Sequence, residues 1–248
     1  MSGEEHIEIR DGGWKVTRDP AAATRDLPFM NCCGMLFVPV PRFKTLMSIT
    51  PVRVCDYASY CEKKFLPYPP VDFHQGPEHP VVNVTWHEAR AFCEWLTARE
   101  HLKNLLTPTL RYRLPTDLEW SAAVGLLPEE QASPRLRSGK MDGYPWGPKF
   151  PPPPNAGNYS PSLAVDEFHE TAPVGSFAPN RFGFYDLGGN VWEFVNDPYE
   201  PGSQVKVARG ASCFNEGEDY LRSSYRDPID GERRRNNGGF RLALSTAA

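Results

Sequence analysis

The sequence predicts a loop-rich α+β fold with little regular secondary structure. Helix-start signals lie in the first half of the chain, whereas the last third holds short β-like runs separated by loops. The 26 Pro and 20 Gly residues are spread along the 248-residue chain rather than gathered in one tail, as is typical of a folded, loop-rich protein. On length alone, one large domain or two small ones are both possible.

Three segments carry the signals of a helix start. Thr50-Pro51 places a capping residue before a proline at the first helical position, which predicts a helix over VRVCDYASYCEKK. Thr85 and Glu88 have the spacing of a capping box, which predicts a helix over HEARAFCEWLTAREH. Thr116 and Glu119 repeat that spacing before a shorter helix, LEWSAAVG. The second helix carries its apolar face at Ala89, Phe92, Cys93 and Leu96.

Five short apolar runs predict extended segments, and the first of them ends at prolines. These runs cover residues 34–41, 79–84, 190–195, 205–208 and 239–243. Between about residues 127 and 183 the chain is instead dominated by Pro, Gly, Asn, Ser and aromatic residues. A structureless stretch of that length is unusual in a compact domain unless something anchors it, and bound metal ions are one such anchor.

The charge balance excludes some classes of partner. A formal net charge of −4 gives no electrostatic case for binding nucleic acid or an anionic membrane. The polar, acidic N-terminus matches neither a signal peptide nor a transit peptide, and no apolar run reaches the length of a membrane span. We therefore expect a cytoplasmic protein with reduced thiols and with neither nucleic acid nor membrane as partner. The basic run 233–235 is interpreted as a solvated loop.

The cysteines show no spacing that predicts a zinc site. Cys55, Cys61 and Cys93 fall within helical apolar patterns and are expected to be small core residues. Adjacent Cys32 and Cys33 are interpreted as two thiols in a buried turn, with redox work as the alternative.

Seven stretches in fixed order resemble the sulfatase-modifying-factor superfamily, which includes formylglycine-generating enzyme. They are HPVVNVTWHEARAFCEWL (79–96), YRLPTDLEW (112–120), YPWG (144–147), AGNY (156–159), DEFHETAPVGSFAPNRFGFYDLGGNVWEFVND (166–197), RGAS (209–212) and GGFRLA (238–243). The resemblance implies a C-type-lectin-like fold of the formylglycine-generating-enzyme type. It implies one domain over residues 34–248, on which an N-terminal extension, residues 1–33, is packed.

The resemblance also implies structural Ca²⁺. The first site carried over from relatives falls on Asn158, Tyr159, Asp166 and Phe168, and the second on Asp186, Leu187, Gly189 and Val191 with Glu193 close by. Calcium prefers six to eight hard oxygen ligands, which loop carbonyls and one or two carboxylates supply. The alternative is that Asp166 and Asp186 are ordinary turn residues.

The resemblance fails at the chemistry of formylglycine synthesis. Relatives bind Cu(I) through two cysteines that follow the motif found here at 209–212, and the corresponding positions hold Asn215 and Tyr220. Cys213 lies two positions early and has no partner. Other relatives bind iron through His residues, and the six His of this chain show no spacing that predicts such a site. Neither copper nor iron is supported, although a third branch that acts on peptide chromophores without the cysteines keeps an enzyme hypothesis open.

Two functional hypotheses follow. The first is a ligand- or protein-binding domain that recognises an unknown protein or peptide through residues 212–237, as in variable proteins of diversity-generating retroelements. That segment is rich in Tyr, Ser, Asn, Asp and Arg, which suit adaptable recognition surfaces. The second is a metal-dependent oxidase or hydroxylase acting on a peptide or small thiol, with Ser212, Cys213 and Tyr220 at the floor of its groove. The binding hypothesis places Cys213, Phe214, Asn215, Tyr220, Arg222, Tyr225 and Arg226 on the recognition face.

Overall fold

The computed structural model describes residues 7–9 and 15–246. Its strands are β1 (Ile7–Ile9), β2 (Lys15–Thr17), β3 (Phe29–Met30), β4 (Leu36–Pro39), β5 (Leu46–Ser48), β6 (Leu110–Arg113), β7 (Trp192–Pro198), β8 (Lys206–Arg209), β9 (Asp227–Ile229), β10 (Gly238–Gly239) and β11 (Ala243–Thr246). Its α-helices are α1 (Val54–Lys64), α2 (Trp86–Leu102), α3 (Asp117–Val124), α4 (Pro134–Arg137) and α5 (Glu218–Leu221). The strand content is split between two sheets, and long loops connect them.

The larger sheet has seven strands in the order β1-β2-β3-β4-β5-β11-β6, and the smaller has four in the order β10-β7-β8-β9. Most neighbours are antiparallel, while β2–β3 and β10–β7 are parallel. Short strands, few helices and long loops make the molecule α+β, as the sequence predicts.

Both predicted capping boxes are present. The Thr85 hydroxyl accepts from Glu88 N at 3.1 Å and the Glu88 carboxylate accepts from Thr85 N at 2.9 Å, so α2 begins where the sequence places it. Thr116 and Glu119 make the same reciprocal pair before α3. The predicted start at Thr50-Pro51 is wrong. Helix α1 begins at Val54 because Asp56 caps the backbone N–H of Arg53 instead.

Two predicted extended runs differ from the structure. Residues 79–84 form no strand and make one isolated bridge, between Pro80 and Arg53. The run predicted over 239–243 is divided between the two sheets. Gly238–Gly239 pairs with β7, and the chain then crosses over so that Ala243–Thr246 lies between β5 and β6. The passage of the chain from one sheet to the other depends on strand partners that are distant in the sequence, and no local residue pattern predicts it.

Aromatic side chains of α1 and α2 form the larger core under the seven-stranded sheet. Tyr57 stacks on Phe92 with ring centroids 5.7 Å apart, and Phe240 meets both rings edge-on. A second core surrounds fully buried Trp120 and Val195, between α3 and the smaller sheet. Together these cores hold the loops that carry the candidate site.

The N-terminal part of the described chain contributes to the larger sheet. Val16 in β2 and Phe29 in β3 are buried, and Phe29 lies 5.9 Å from Phe37 between ring centroids. The boundary at residue 34 stays a prediction. None of the helices in the described part of the chain combines the length and hydropathy needed to cross a bilayer.

The described cysteines are all free thiols. Cys61 and Cys93 are buried as expected, whereas Cys55 is half-buried with its sulfur 3.9 Å from Glu78. Cys32 and Cys33 lie in a turn, half-buried rather than buried, with their sulfurs 3.9 Å apart.

Candidate functional site

The segment 212–237 leaves strand β8 through a sharp backbone turn. Gly210 and Ala211 both have positive φ, 94° and 63°, and Ala211 is fully buried. The turn passes under the loop before β7, since Gly189 N donates to Gly210 O at 2.7 Å and Cys213 N donates to Asn190 O at 3.0 Å. Residues 210–213 therefore lie beneath the loops that hold the predicted calcium ligands.

Ser212 and Cys213 are fully buried, which contradicts their predicted place on an exposed recognition face or at a groove floor. Burial raises the pKa of Cys213 to about 12, so the thiol is protonated near neutral pH and is a poor nucleophile. The Ser212 hydroxyl donates to Asn215 Oδ1 at 2.7 Å and accepts from Asn237 Nδ2 at 3.0 Å. Ser212 and Cys213 therefore hold the start of the segment in place from the protein interior.

The structure also contradicts the prediction that Arg226 lies on the recognition face. Its side chain is buried, with Nη2 3.0 Å from Asp117 Oδ2 and 2.6 Å from Glu129 Oε2. Asp117 and Glu129 lie about a hundred residues away along the chain, so a local pattern does not reveal this pairing. Arg226 anchors the segment to α3.

The exposed part of the segment centres on tyrosines. Tyr220 is 47% exposed and packs edge-on to Tyr225 at 5.1 Å between centroids. The Tyr144 hydroxyl donates to Glu218 Oε1 at 2.9 Å, and its ring stacks on Trp146 at 4.8 Å. We call Tyr144, Trp146, Tyr220 and Tyr225 the aromatic face. The sequence hypothesis missed Tyr144 and Trp146, because they come from a distant loop.

The remaining predicted face residues surround the aromatic face to different degrees. Phe214 is 41% exposed, whereas Asn215 is half-buried and turned inward to Ser212. Arg222 is partly exposed and bonds Asp142 at 3.2 Å. Phe214, Tyr220, Tyr225 and Arg222 thus remain available for recognition, whereas Cys213 and Arg226 do not.

A cavity of about 770 Å³ opens at the end of the same segment. It is lined by Pro70, Val71, Asp72, Asn83, Arg233, Arg234, Arg235, Asn236 and Asn237. Arg234 pairs with Glu88 and Arg235 with Asp227, while Asn237 bonds Ser212. The basic run interpreted from sequence as a plain solvated loop is therefore one wall of a concave site. We call it the arginine cavity.

The first predicted calcium site has donors that fit a hard cation. Asn158 is fully buried, and its Oδ1 has no hydrogen-bond partner among the described residues. The Asp166 carboxylate accepts from Tyr159 N at 3.1 Å and from Phe168 N at 2.9 Å, so it lies between the two residues predicted to supply carbonyls. An unsatisfied amide oxygen on the residue before Tyr159, whose N–H the Asp166 carboxylate binds, suits calcium, although the two N–H contacts alone would also satisfy a turn.

At the second predicted calcium site, Asp186 remains a candidate ligand, whereas Glu193 does not. Asp186 Oδ1 is buried without a partner, and burial raises the pKa of Asp186 to about 6. Both Glu193 oxygens are engaged instead, by Arg241 at 2.5 and 2.6 Å and by Trp120 Nε1 at 2.9 Å. Its inclusion among the ligands is corrected, because a carboxylate already bonded by a guanidinium is a poor calcium donor. Within the described residues, no group of three His, Cys, Asp or Glu side chains could hold a metal ion, so a calcium site here would depend mainly on carbonyl and amide oxygens.

Comparison with known proteins decides the family. The family model described as "Sulfatase-modifying factor enzyme 1-like domain" matches residues 41–246. The chain belongs to this family. The predicted resemblance is thereby confirmed, and with it the fold type.

Among curated relatives, this sulfatase-modifying-factor domain is 38% identical over 147 residues to the inactive C-alpha-formylglycine-generating enzyme 2 of Bos taurus. The match covers 56% of this chain and 40% of that protein, so the domain spans well under two thirds of the relative's length. That relative is described as inactive.

Two solved structures share the fold. PvdO from Pseudomonas aeruginosa has a TM-score of 0.61 at 22% identity, covering 81% of this chain and 80% of that one. Treponema denticola variable protein 1 has a TM-score of 0.54 at 21% identity, covering 80% and 84%. At these identities the likeness shows the fold alone.

Proposed function

We propose that this sulfatase-modifying-factor domain is a binding domain that recognises a protein or peptide, and that it makes no formylglycine. The observation that carries the proposal is the state of Cys213. Asn215 and Tyr220 stand where copper-binding relatives have cysteines, and the one thiol nearby is buried with its pKa raised to about 12. A lone enclosed thiol cannot supply the pair of soft thiolate ligands by which those relatives bind copper.

Recognition is assigned to the aromatic face and the arginine cavity. About half of the residues of each belong to 212–237, the segment that the sequence resemblance equates with the ligand-binding segment of variable proteins. Tyrosine and tryptophan supply large, rigid contact area with a polar handle, and arginine supplies directed hydrogen bonds. The buried anchors Arg226 and Ser212 hold the segment in place, so exposed positions can change without unfolding it.

A displayed random-peptide library panned against the full chain tests this assignment. Enriched peptides should bind Tyr220→Ala or Phe214→Ser about tenfold more weakly or worse. Leu136→Ser on α4 serves as the control, because Leu136 is equally exposed and lies outside the segment. Peptides that bind all three variants like the wild type would place recognition elsewhere. Oxygen consumption with cysteine- or tyrosine-containing peptides and added copper or iron would favour the oxidase hypothesis instead.

We further propose that calcium supports this scaffold at two sites. Asn158, Asp166 and the carbonyls of Tyr159 and Phe168 would hold the first ion, and Asp186 with the carbonyls of its turn would hold the second. Support comes from the two orphaned buried oxygens, Asn158 Oδ1 and Asp186 Oδ1, which a cation would satisfy.

Elemental analysis before and after dialysis against a chelator tests the calcium proposal. We expect one or two calcium ions per chain and a melting temperature that falls on chelation, because a ligand that binds only the native state stabilises it. Asp166→Ala should abolish much of the rise in melting temperature that calcium gives. Asp219→Ala, at an exposed position, should keep that rise. If Asp166→Ala melts with the same calcium dependence as the wild type, the first site is wrong.

A further inference from the structure

Helices α1 and α2 end on the same side of the molecule. Tyr57 packs on Phe92 and Tyr60 on Trp95, at 5.7 and 5.2 Å between ring centroids. Lys63, near the end of α1, and Leu102 and Lys103, at the end of α2, line one surface depression, so the C-terminal ends of the two helices lie close together. The residues that follow the two helices therefore share one surface.

This surface exposes four large apolar side chains. Phe65 is 95% exposed and Leu102 is 85% exposed, the highest values among the exposed large hydrophobic residues of the described chain. Leu66 and Leu105 are about half exposed. We call these four residues the apolar tip. Clustered exposed apolar groups mark a binding surface more often than scattered ones do.

The backbone fixes this exposure. Phe65 is the left-handed C-cap of α1, with φ of 54°, and its N–H bonds back to Glu62 O. Leu66 N bonds Cys61 O, and after α2 Leu105 N bonds Glu100 O in the same manner. These bonds close both helix ends while the side chains of Phe65 and Leu102 project outward.

Cations surround the apolar tip. Lys63 and Lys64 precede Phe65, Lys103 follows Leu102, and all three lysines are exposed. The nearby carboxylates are mostly engaged: Glu62 lies 3.7 Å from Lys63, and Glu94 lies 3.5 Å from Arg90. Glu100 is buried and accepts from Cys32 N and Tyr112. With the Glu62–Lys63 pair counted as neutral, Lys64, Lys103 and Arg99 still leave the tip locally basic, although the whole chain carries −4.

A shallow apolar depression of about 410 Å³ lies beside the tip. Its lining is Lys63, Trp95, Ala98, Arg99, Leu102 and Lys103. The charged side chains of this lining are all cationic, and the only neutral polar side-chain group that it offers is the indole N–H of Trp95. Such a surface suits an occupant that is apolar within and anionic at its boundary and that needs no specific orientation.

We propose that the apolar tip inserts into the interface of an anionic lipid bilayer. Phe65, Leu66, Leu102 and Leu105 would enter the boundary of the acyl region, and the lysines would meet the lipid phosphates. The sequence expectation of no membrane partner rested on net charge and on the lack of a spanning segment. Both describe the chain as a whole and neither describes this local surface. The inference is independent of the proposed recognition by residues 212–237.

Sedimentation with vesicles tests the proposal on the full chain. We expect the protein to sediment with phosphatidylcholine–phosphatidylserine vesicles, to remain in solution with phosphatidylcholine alone, and to be released by added salt. The double variant Phe65→Asn, Leu102→Gln should lower the partition coefficient about tenfold or more. Asn tolerates the left-handed backbone at position 65, so this variant should fold. Lys64→Gln and Lys103→Gln should each lower the partition coefficient about fivefold.

Leu136→Gln and Lys140→Gln are matched controls, since both residues are exposed and lie away from the two helix ends on or after α4. They should bind vesicles like the wild type. Failure of the wild type to sediment with anionic vesicles would overturn the proposal, as would equal sedimentation of the tip variants. Self-association that the tip substitutions abolish, measured by light scattering without vesicle binding, would show that a second copy covers the tip and would also overturn it.

Discussion

At the scale of single residues, the largest concentration of buried charge surrounds Asp117. Its carboxylate contacts the guanidinium groups of Arg137, Arg209 and Arg226, and Arg226 also bonds Glu129. Burial alone would raise the pKa of Asp117, but the neighbouring arginines outweigh burial and hold it below the ordinary value. Asp117 thus joins α3 to β8 and to the recognition segment through Arg226.

Asp117→Asn should lower the free energy of unfolding by about 3–5 kcal/mol, because it leaves buried guanidinium groups without their shared anion. Because the pKa of Asp117 is lower in the folded protein than in the unfolded one, its ionised carboxylate stabilises the fold at pH values above the ordinary pKa of 3.8. This stabilisation is lost as the pH falls towards the folded-state pKa. The difference between wild type and variant should therefore be full at neutral pH and shrink below about pH 4. Denaturant unfolding across pH measures it.

Asp142→Asn is the control for this prediction. Asp142 also pairs with an arginine, Arg222 at 3.2 Å, but its side chain is 94% exposed. We expect a change within about 0.5 kcal/mol, because exposed pairs contribute little. Equal losses for the two variants would contradict the role given to Asp117.

At the scale of elements, the reciprocal cap of α2 defines the start of that helix. Thr85→Ala should lower the free energy of unfolding by about 1 kcal/mol, because Glu88 N loses its acceptor and the box is broken. Thr109→Ala should change it within about 0.5 kcal/mol, since Thr109 is exposed and makes one weak contact with Thr107 at 3.4 Å. Thermal melts of the two variants measure the difference, and equal melting temperatures would contradict the stabilising role given to the cap.

Strand β3 belongs to the same element scale, and Phe29 within it is 2% exposed. Phe29→Ala should cost about 3–5 kcal/mol, because it opens a cavity against Phe37. Phe65→Ala removes the same side chain from an exposed position and should be nearly neutral for stability. A similar small loss for both would mean that β2 and β3 are only loosely attached to the sheet.

At the scale of the whole molecule, residues 238–246 connect the two sheets. Gly238–Gly239 extends the smaller sheet and Ala243–Thr246 lies inside the larger one. Between them Arg241 is fully buried, bonded to Glu193 of β7 and to the carbonyls of Ser48 and Tyr185. This arrangement couples the stability of one sheet to that of the other.

We expect the two sheets to unfold in one transition at a fixed calcium concentration. Tryptophan fluorescence, far-UV circular dichroism and hydrogen exchange in β5 and β11 should give coincident midpoints. Arg241→Met should lower the free energy of unfolding by about 3–5 kcal/mol, since it leaves Glu193 buried without its cation, and should keep the single transition. Two separated transitions in the wild type would refute the coupling.

The sequence by itself determined the features that depend on neighbours three or four residues apart or on ordered motifs. The capping boxes at Thr85 and Thr116 are of this kind, because donor and acceptor lie within one helical turn. The family and the α+β class were equally predictable from residues alone.

Tertiary structure alone decided which residues of the predicted site are accessible. Arg226 is withdrawn from the surface by Asp117, 109 positions away, and Cys213 is enclosed by the loop of Asn190. Tyr144 joins the aromatic face from a distant loop, and the division of residues 238–246 between two sheets depends on strands far along the chain. The physical reason is the same in each case: burial and charge pairing are set by partners that local periodicity does not identify.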